Sequence, residues 1–398
     1  MLLVVFICLL FVLSLVSGKL EKTIVTAPII CTVAGILVLP WVPLAETNLD
    51  KHVFLTLAEI GLVLLLFTDA SRTNLKELRN IKELPARLLS IGMLFTILIG
   101  AVAAKLVFPQ LSIWEAGILS AILAPTDAGL GQVIVNSPLV PARVREALNV
   151  EAGLNDGLSV PFLLFFIAMA AASEGEPSFV RFLGEQLGLG VVVGAAIGLA
   201  GGMLIELSRR AGWIAKSFLQ LAVVGLPVFC LIVSEQVGAS MFIAAFTAGL
   251  CVQVGFKNAG KHSVEFTEEW GQILNLSVFF LFGLIIARDW HMLTVSSFIY
   301  AILSLTIVRM LPVAAALIGS GLDKSTVAFM GWFGPRGLAS IVLGLVYLEQ
   351  EKHLPGEEIT RLAVIATVLL SIFAHGLSAL PGIRLHARLT GGGTRHEA

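Results

Sequence analysis

Two carboxylates and an amide lie close together in one stretch of an otherwise apolar chain. They are Glu151, Asn155 and Asp156, and an apolar helical pattern continues after them. Because residues four apart share a helix face, Glu151 and Asn155 point the same way, and Asp156 lies about 100° further round. A charged side chain in a bilayer costs about 2.5–3.5 kcal/mol on insertion scales, so it is seldom found there without a partner or a function.

A further acid interrupts the preceding apolar segment. Asp127 follows Thr126 and stands between Pro125 and Gly129. Proline lacks a backbone donor and disfavours helical geometry in the residue before it, so we predict a broken helix with Asp127 at the freed peptide groups. Broken helices are tolerated at membrane depth where they line a cavity or pack against protein. Two acids in neighbouring segments, one of them at a break, indicate a pathway for cations or protons.

A later apolar segment contains a matching break that carries a cation. Residues 334–337 read Gly-Pro-Arg-Gly, with Arg336 in place of the acid. One broken segment falls in each half of the chain, which is typical of transporters built from inverted repeats. We therefore predict an inverted-repeat fold with two broken crossing helices.

The composition indicates that most of the chain lies in a membrane. Of the 398 residues, 57% are hydrophobic and 13% are charged, whereas soluble domains are about 25% charged. The mean hydropathy is +0.94. Windows of about 20 apolar residues predict an all-α polytopic membrane protein with about thirteen transmembrane helices. The predicted segments are 2–17, 23–40, 52–70, 86–108, 112–136, 144–172, 178–207, 215–237, 239–256, 268–288, 291–319, 324–348 and 357–383.

The distribution of basic residues predicts the orientation of the chain. If the N-terminus is outside, most of the 26 Lys and Arg residues fall on inner loops, so the C-terminus and a short tail, 390–398, are expected in the cytoplasm. The first apolar run could be a cleaved signal peptide. No positive charge precedes it, however, and Lys19 and Lys22 follow it, so we predict a retained helix.

Two arginines remain inside the membrane and need acidic partners. Glu151 is predicted to pair with Arg336, because a buried acid–guanidinium pair offsets two desolvation costs. A possible structural ion pair joins Arg309 to Glu59 or Asp69 of the third segment. Both pairings are inferred only from which charges are available.

The other polar residues each have more than one interpretation. Asp127 could serve only as a helix cap at the break. Asn155 could bind an ion, but we favour a hydrogen bond from its amide to the broken chain at Thr126. Arg309 is the one membrane cation left over that could pair with Asp156 as a structural acid, but we favour a role for Asp156 in binding. His375 is interpreted as a hydrogen-bonded packing residue rather than a proton relay.

These motifs together resemble the monovalent cation:proton antiporter-1 family, the NhaP-like sodium/proton exchangers. Residues 151–156 are similar to that family's E-S-x-x-N-D element in the sixth helix, and residues 126–127 to its T-D-P element in the broken fifth helix. Residues 334–337 are similar to its arginine-bearing break in the twelfth helix. Residues 64–67 and 75–79 are similar to its third helix and the basic loop that follows. The resemblance covers nearly the whole membrane part in the same order.

The resemblance implies which residues bind the transported ions. Asp127, Asp156 and Thr126 would form the cation- and proton-binding site and hold the transported Na⁺ or K⁺. Asn155 would bridge to the broken helix, and Glu151 with Arg336 would support the site. An amide at position 155, where relatives carry a second acid, implies exchange of one cation for one proton without net charge movement.

Two departures from the family pattern leave the ion selectivity open. Ala152 stands where the family has a serine whose hydroxyl is an ion ligand. Ala128 stands where the family has proline after the aspartate, and Pro125 precedes Thr126 instead. The sequence therefore does not decide between Na⁺ and K⁺.

The resemblance also implies an architecture and a location. Residues 86–172 and 291–389, helices 4–6 and 11–13, would form the ion-carrying core. Residues 1–85 and 178–290, helices 1–3 and 7–10, would form a scaffold that makes a homodimer. The implied location is a bacterial or archaeal inner membrane, the implied partners are the lipid bilayer, H⁺ and Na⁺ or K⁺, and no cofactor is expected.

Two other classes of function fit the sequence less well. A cation channel with Asp127 and Asp156 lining its pore would conduct without a proton gradient. A membrane-embedded enzyme is disfavoured because we find no His-Glu-x-x-His or Gly-x-Gly-Asp motif and no nucleophile beside a histidine in a suitable context. No stretch interleaves basic and aromatic residues as nucleic-acid binding would require.

Overall fold

A computed structural model describes residues 2–20, 23–41, 51–72, 83–173, 178–257, 259–348 and 354–390. Regular structure within these ranges is helical, with no strand. The basic loop at 75–79 and all of the predicted tail after Thr390 lie outside the described residues. In chain order the helices are α1 (Leu2–Leu20), α2 (Ala27–Val38), α3 (Lys51–Arg72), α4 (Glu83–Val107), α5 (Ile113–Ile122), α6 (Ala128–Val135), α7 (Ala142–Ser173), α8 (Ser178–Arg210), α9 (Lys216–Val237), α10 (Met241–Gly255), α11 (Ala259–Asp289), α12 (Val295–Ala316), α13 (Lys324–Trp332), α14 (Leu338–Leu348) and α15 (Glu357–Leu389).

The helices have the lengths and composition of membrane-spanning segments. Among the residues that the structure describes, eight helices are long and apolar enough, over all or part of their length, to cross a bilayer, and four shorter ones are also apolar. The first group comprises α1, α4, α7, α8, α9, α11, α12 and α15, and the second comprises α2, α5, α10 and α14. The prediction of an all-α polytopic membrane protein is confirmed, while the number of crossings, about thirteen, stays a prediction.

Both predicted helix breaks are present. The first lies between α5, which ends at Ile122, and α6, which begins at Ala128. The second lies between α13, which ends at Trp332, and α14, which begins at Leu338. Each break contains a proline, which removes a backbone donor and prevents the helix from continuing.

Internal contacts divide the chain into two compact units. The first contains Met1–Lys51, Lys82–Asn155 and Leu276–Ala398, and the second contains His52–Ile81 and Asp156–Asn275. The long helices α7 and α11 each belong in part to both units. The predicted division into scaffold and ion-carrying core concerns which helices move, so it stays a prediction.

In the first unit, polar contacts fix the position of α5, the helix that leads into the first break. Ser112 and Glu115 form a reciprocal capping box at its start, which satisfies two backbone donors that a helix leaves unpaired. Glu115 also accepts the backbone N–H of Gly356, just before α15, at 2.6 Å. Further along, the Ser120 hydroxyl donates to Ile97 O of α4 at 2.8 Å. These contacts hold α5 against α4 and α15.

In the second unit, α8 and α10 approach each other closely along a row of glycines. A Cβ added to any of three of these glycines would overlap a backbone carbonyl oxygen of α10. The overlapping pairs are Gly194 with Ala244, Gly198 with Ala248, and Gly202 with Val252. Small residues allow helix backbones in membranes to come into van der Waals contact. At the start of α10, Ser240 N–H donates to Gln186 O of α8 at 3.2 Å.

Candidate functional site

Asp127 lies in the first break and joins it to the second. One carboxylate oxygen, Oδ1, accepts the backbone N–H of Leu130 in α6 at 2.9 Å, and Oδ2 accepts that of Leu338 in α14 at 2.6 Å. The backbone N–H of Asp127 donates to Pro335 O at 2.8 Å. The first turn of a helix leaves backbone donors unpaired and carries partial positive charge. The buried Asp127 carboxylate therefore caps the amino ends of two half-helices at once.

A glycine makes room for this carboxylate. A Cβ on Gly337 would overlap Asp127 Oδ2. Since Leu338, whose N–H binds that oxygen, is the next residue, a side chain at position 337 would separate the two breaks. The second glycine of the Gly-Pro-Arg-Gly break is therefore required by the close approach of an acid.

Arg336, in the second break, donates hydrogen bonds at the carboxyl end of α5, the helix that leads into the first break. The residue has no exposed surface, and its Nη1 donates to Ala124 O at 2.6 Å and Pro125 O at 2.9 Å. Both carbonyls follow α5, where the last turn leaves acceptors unpaired and carries partial negative charge. Arg336 Nε and Nη2 have no hydrogen-bond partner within the described residues.

The predicted pairing of Glu151 with Arg336 is wrong, because Glu151 pairs with Arg309. Arg309 Nη1 lies 2.5 Å from Glu151 Oε1, and Nη2 lies 2.9 Å from Oε2, with both side chains 4% exposed. This two-point geometry is the strongest that a guanidinium and a carboxylate adopt. Glu59 and Asp69 belong to the second compact unit and Arg309 to the first, so the predicted pairing of Arg309 with either acid stays a prediction.

The second break also accommodates this ion pair. A Cβ on Gly334 would overlap Nε of Arg309. Arg309 lies in the second half of α12, just after Thr306, where the backbone departs from helical geometry (φ −108°, ψ −90°). The two glycines of the break therefore face two different charged groups, Gly337 the Asp127 carboxylate and Gly334 the Arg309 guanidinium.

Asn155 makes the contact expected from the sequence. Its amide Nδ2 donates to Thr126 Oγ1 at 2.7 Å, and both side chains are buried. The bond ties α7 to the first break one residue before Asp127. The amide oxygen of Asn155 has no hydrogen-bond partner within the described residues, so it remains available to a water or an ion.

Asp156 follows Asn155 directly in α7 and is buried at 4% exposure. The hydroxyl of Ser159 donates to its backbone carbonyl at 2.7 Å. Asp156 belongs to the second compact unit, and Asp127 and Asn155 to the first. Its role as a cation ligand stays a prediction.

A small cavity borders Asp127. Its volume is about 20 Å³, which is enough for about one water-sized occupant. Its polar lining residues are Thr126, Asp127 and Asn149, and Ala152 also lines it. The sequence analysis missed Asn149. The available signal was its position three residues before Ala152, since residues three apart are neighbours on a helix surface.

Oxygen atoms of Thr126, Asp127 and Asn149 belong to the residues that line this cavity. No group of three or more His, Cys, Asp or Glu side chains in the described ranges could hold a metal ion. Carboxylate, hydroxyl and amide oxygens are ligands for hard cations. The geometry therefore offers one buried acid at the junction of two helix breaks, with a carbonyl-capping cation and a separate ion pair beside it.

Comparisons with known proteins agree with this geometry. A profile of the family described as "Sodium/hydrogen exchanger, transmembrane" matches residues 3–382. A Schizosaccharomyces pombe protein named "Probable Na(+)/H(+) antiporter C3A11.09" is 25% identical over 352 residues, covering 82% of this chain and 46% of the relative. The "K(+)/H(+) antiporter NhaP2" of Shewanella baltica is 24% identical over 337 residues, covering 82% of this chain and 57% of the relative. This chain thus spans about half the length of the curated relatives it matches.

A solved structure has the same fold. The sodium proton antiporter MjNhaP1 from Methanocaldococcus jannaschii superposes with a TM-score of 0.72 at 20% identity, covering 94% of this chain and 98% of that one. The predicted antiporter fold with two broken helices is confirmed by this likeness. With the family profile matching most of its length, the chain belongs to the transmembrane sodium/hydrogen exchanger family.

Proposed function

We propose that this chain exchanges a monovalent cation, Na⁺ or K⁺, for a proton across the membrane by alternating access. The observation that carries the proposal is Asp127, a buried acid that caps both helix breaks and borders a cavity of about 20 Å³. The family match and the relatives named as Na⁺/H⁺ and K⁺/H⁺ antiporters support the same reading.

Competition between a proton and a cation follows from the burial of the acids. An ionised carboxylate at membrane depth is costly, and either a bound proton or a bound cation removes its net charge. We assign Asp127 and Asp156 as the acids that bind the exchanged ions and Thr126 as an oxygen ligand. Only the occupied, neutralised site would cross between the inward and outward states.

The remaining charges of the site have supporting roles in this proposal. Glu151 and Arg309 neutralise each other in a two-point ion pair. Arg336 is used by the carbonyls that follow α5. Within the described residues no ion pair joins either arginine to the Asp127 carboxylate, which leaves the role of direct counter-ion to the transported cation or proton.

The proposed stoichiometry is one cation for one proton. Asn155 is uncharged and holds Thr126 at 2.7 Å, so the two aspartates share one exchangeable charge. An imposed membrane potential should leave the exchange rate nearly unchanged, and lowering the pH should raise the apparent cation KM through competition. A clear dependence of the rate on membrane potential would overturn the electroneutral assignment but not the competition.

The ion selectivity depends on what replaces the missing serine hydroxyl. Ala152 offers no ligand, whereas Asn149 supplies an amide to the same cavity. We propose that Asn149 contacts the cation on its way to Asp127. We also propose a homodimer in a bacterial or archaeal inner membrane, with the N-terminus outside and the C-terminus in the cytoplasm.

The deciding experiment is transport by the purified protein in sealed vesicles. Addition of Na⁺ or K⁺ should collapse an imposed pH gradient, with no cation flux when proton movement is prevented. Cation flux without a proton gradient would instead identify a channel. The variant Asp156→Asn should abolish exchange in a protein that still assembles. Glu206→Gln, which alters an acid paired with Arg209 and Arg210, should exchange normally.

If Asp156→Asn retains substantial exchange, Asp156 is not part of the binding site. Equal loss in Asp156→Asn and Glu206→Gln would indicate a general defect of the variants. Recovery of each protein as a single species in detergent, measured by gel filtration, separates lost transport from lost assembly.

A further inference from the structure

A polar stripe on α15 faces the second helix break. Ser371, His375 and Ser378 are separated by four and three residues, which places them on one face of the helix. Ser371 and His375 are almost completely buried. The residues around them in α15 are mostly apolar, so this stripe needs a partner.

The stripe contacts the break on both sides of Pro335. The backbone N–H of Arg336 donates to Ser371 Oγ at 2.6 Å. His375 Nε2 lies 2.9 Å from Trp332 O, and the Trp332 indole N–H donates to Ser378 Oγ at 3.0 Å. The Trp332 and His375 rings also pack with their centres 5.2 Å apart.

These bonds hold two backbone groups of the second break, the N–H of Arg336 and the carbonyl of Trp332. Trp332 is the last residue of α13, so its carbonyl takes no part in the helical hydrogen bonds; it accepts the backbone N–H of Gly334 at 2.9 Å, and His375 adds a second hydrogen bond. Because a carbonyl oxygen only accepts, His375 Nε2 carries the hydrogen of that bond. His375 Nδ1 lies 3.1 Å from Ser371 Oγ and 3.0 Å from Ser371 O. Ser371 Oγ accepts from Arg336 N–H and can give its own hydrogen to Nδ1.

The break also carries the donor on which Asp127 depends. Leu338 N–H, two residues after Arg336, donates to Asp127 Oδ2 at 2.6 Å. A shift of the Arg336 backbone would move this donor as well. The hydrogen bonds of Ser371 and His375 therefore act on Asp127 through the five residues of the break, 333–337.

A second histidine of α15 holds the other end of α13. His386 Nε2 lies 3.0 Å from Thr326 Oγ1 in the first turn of α13. The His386 ring packs on Phe329 with ring centres 4.5 Å apart. His386 lies about three helical turns beyond His375, so it supplies a matched contact of the same helix pair that is remote from the break.

We propose that Ser371 and His375 are positioning residues that hold the second break in the shape that presents Leu338 N–H to Asp127. The inference rests on the proposed function for its effect on cation binding. The holding of the break itself can be measured without any transport. His386 stabilises the α13–α15 packing and does not act on the site.

The first test is hydrogen exchange of the purified full-length protein. Ser371→Ala and His375→Leu should each raise amide exchange in a peptide covering residues 333–338 by about tenfold, the effect of losing one buried hydrogen bond. His386→Leu should leave that peptide as in the wild type and raise exchange near Thr326. Unchanged exchange at 333–338 in both Ser371→Ala and His375→Leu would overturn the proposal, whatever the protein transports.

The second test is the apparent cation KM in vesicles. His375→Leu should raise KM more than it lowers the maximal rate, and His375→Gln, which keeps a donor for Trp332 O, should return KM to within about twofold of the wild type. His386→Leu should lower thermal stability at unchanged KM. If His375→Leu and His386→Leu change KM equally, the stripe has only a packing role.

The two proposals fail separately. If the wild-type protein does not exchange cations for protons, the proposed function is refuted. Amide hydrogen exchange of peptide 333–338 then still decides whether the stripe holds the break. If the protein exchanges cations for protons but His375→Leu leaves the apparent cation KM unchanged, the proposed function stands and the positioning role is refuted.

Discussion

The two helix breaks carry opposite charges and use them on different helix ends. In the first break Asp127 accepts backbone donors at the start of both α6 and α14. In the second break Arg336 donates to carbonyls after α5 alone. Asp127 thus caps the amino ends of α6 and α14, one helix at each break. Arg336 contacts the carboxyl end of α5 alone, at the break to which it does not itself belong.

The charges at the two breaks are therefore not arranged symmetrically. The amino ends of α6 and α14 share one carboxylate, so any ion that competes for Asp127 acts on both breaks together. The carboxyl ends are served separately, α5 by Arg336 and α13 by His375. Helix ends carry partial charges that a counter-charge stabilises most strongly within the last turn. A change at Asp127 should therefore have wider effects than a change at Arg336.

The largest expected effect is that of Asp127→Asn. The amide has one accepting oxygen for two backbone donors, so either Leu130 N–H or Leu338 N–H is left facing an NH₂ group. We expect complete loss of exchange and a stability loss of about 1–3 kcal/mol, the cost of one unpaired buried donor. Vesicle transport and thermal unfolding of the same preparation measure the two effects.

Asp323→Asn is the matched control for Asp127→Asn. Asp323 caps α13 by accepting Thr326 N–H at 3.0 Å, so it is also an acid at the start of a half-helix. Hydrogen bonds from Thr326, first from its hydroxyl and then from its backbone, hold the pKa of Asp323 below its usual value. The control therefore also removes a charged cap at neutral pH. Loss of exchange in Asp323→Asn would mean that any capping acid is essential, and the special position of Asp127 would be refuted.

The next effect is on the ion pair beside the second break. Glu151→Gln and Arg309→Ala should each destabilise the protein by about 3–5 kcal/mol, because each leaves an uncompensated buried charge. In a double-mutant cycle the two changes should cost less together than the sum of the single changes. The same cycle with Glu151→Gln and Arg336→Ala should show a smaller coupling, and a larger one would restore the pairing of Glu151 with Arg336.

The smallest expected effect separates the two glycines of the second break. Gly337→Ala and Gly334→Ala each add one carbon to a packed site, at a cost of about 1–3 kcal/mol. Gly337→Ala should also raise the apparent cation KM, because it displaces the Asp127 carboxylate. Gly334→Ala displaces Arg309 and should lower stability with less change in KM. Identical KM values in the two variants would show that the contact of Gly337 with Asp127 has no special effect on cation binding.

Much of this architecture could be predicted from the sequence because local chemistry decides it. Apolar windows of membrane length predicted the helices, and Pro125 and Pro335 predicted both breaks. The contact between Asn155 and Thr126 also followed from the types of residue available. These features depend on neighbours in the sequence or on a single polar partner.

The partner of Glu151 could not be predicted, because the sequence gives no reason to prefer Arg309 over Arg336. Arg336 donates to the backbone carbonyls of residues 124 and 125. Backbone carbonyls are uncharged, so they were not considered when charged side chains were paired. Glu151 was therefore left for Arg309. The interpretation of His375 as a buried, hydrogen-bonded residue is confirmed. Asn149 and the identity of the carbonyl that His375 contacts were missed, since a cavity wall and a neighbouring carbonyl appear only once the helices are packed. Sequence reasoning counted side-chain charges but not unpaired backbone groups.

The glycine row between α8 and α10 raises a question of register. Its contacts recur every four residues at a constant offset, from Gly194 with Ala244 to Gly202 with Val252. A slip of four residues, about 6 Å, would place Gly194 against Ala248 and so recreate most of the same backbone contacts. The row alone therefore defines the spacing of the two helices but not their alignment. A contact that occurs once, such as that of Ser240 N–H with Gln186 O, has to specify which of the near-equivalent alignments is the native one.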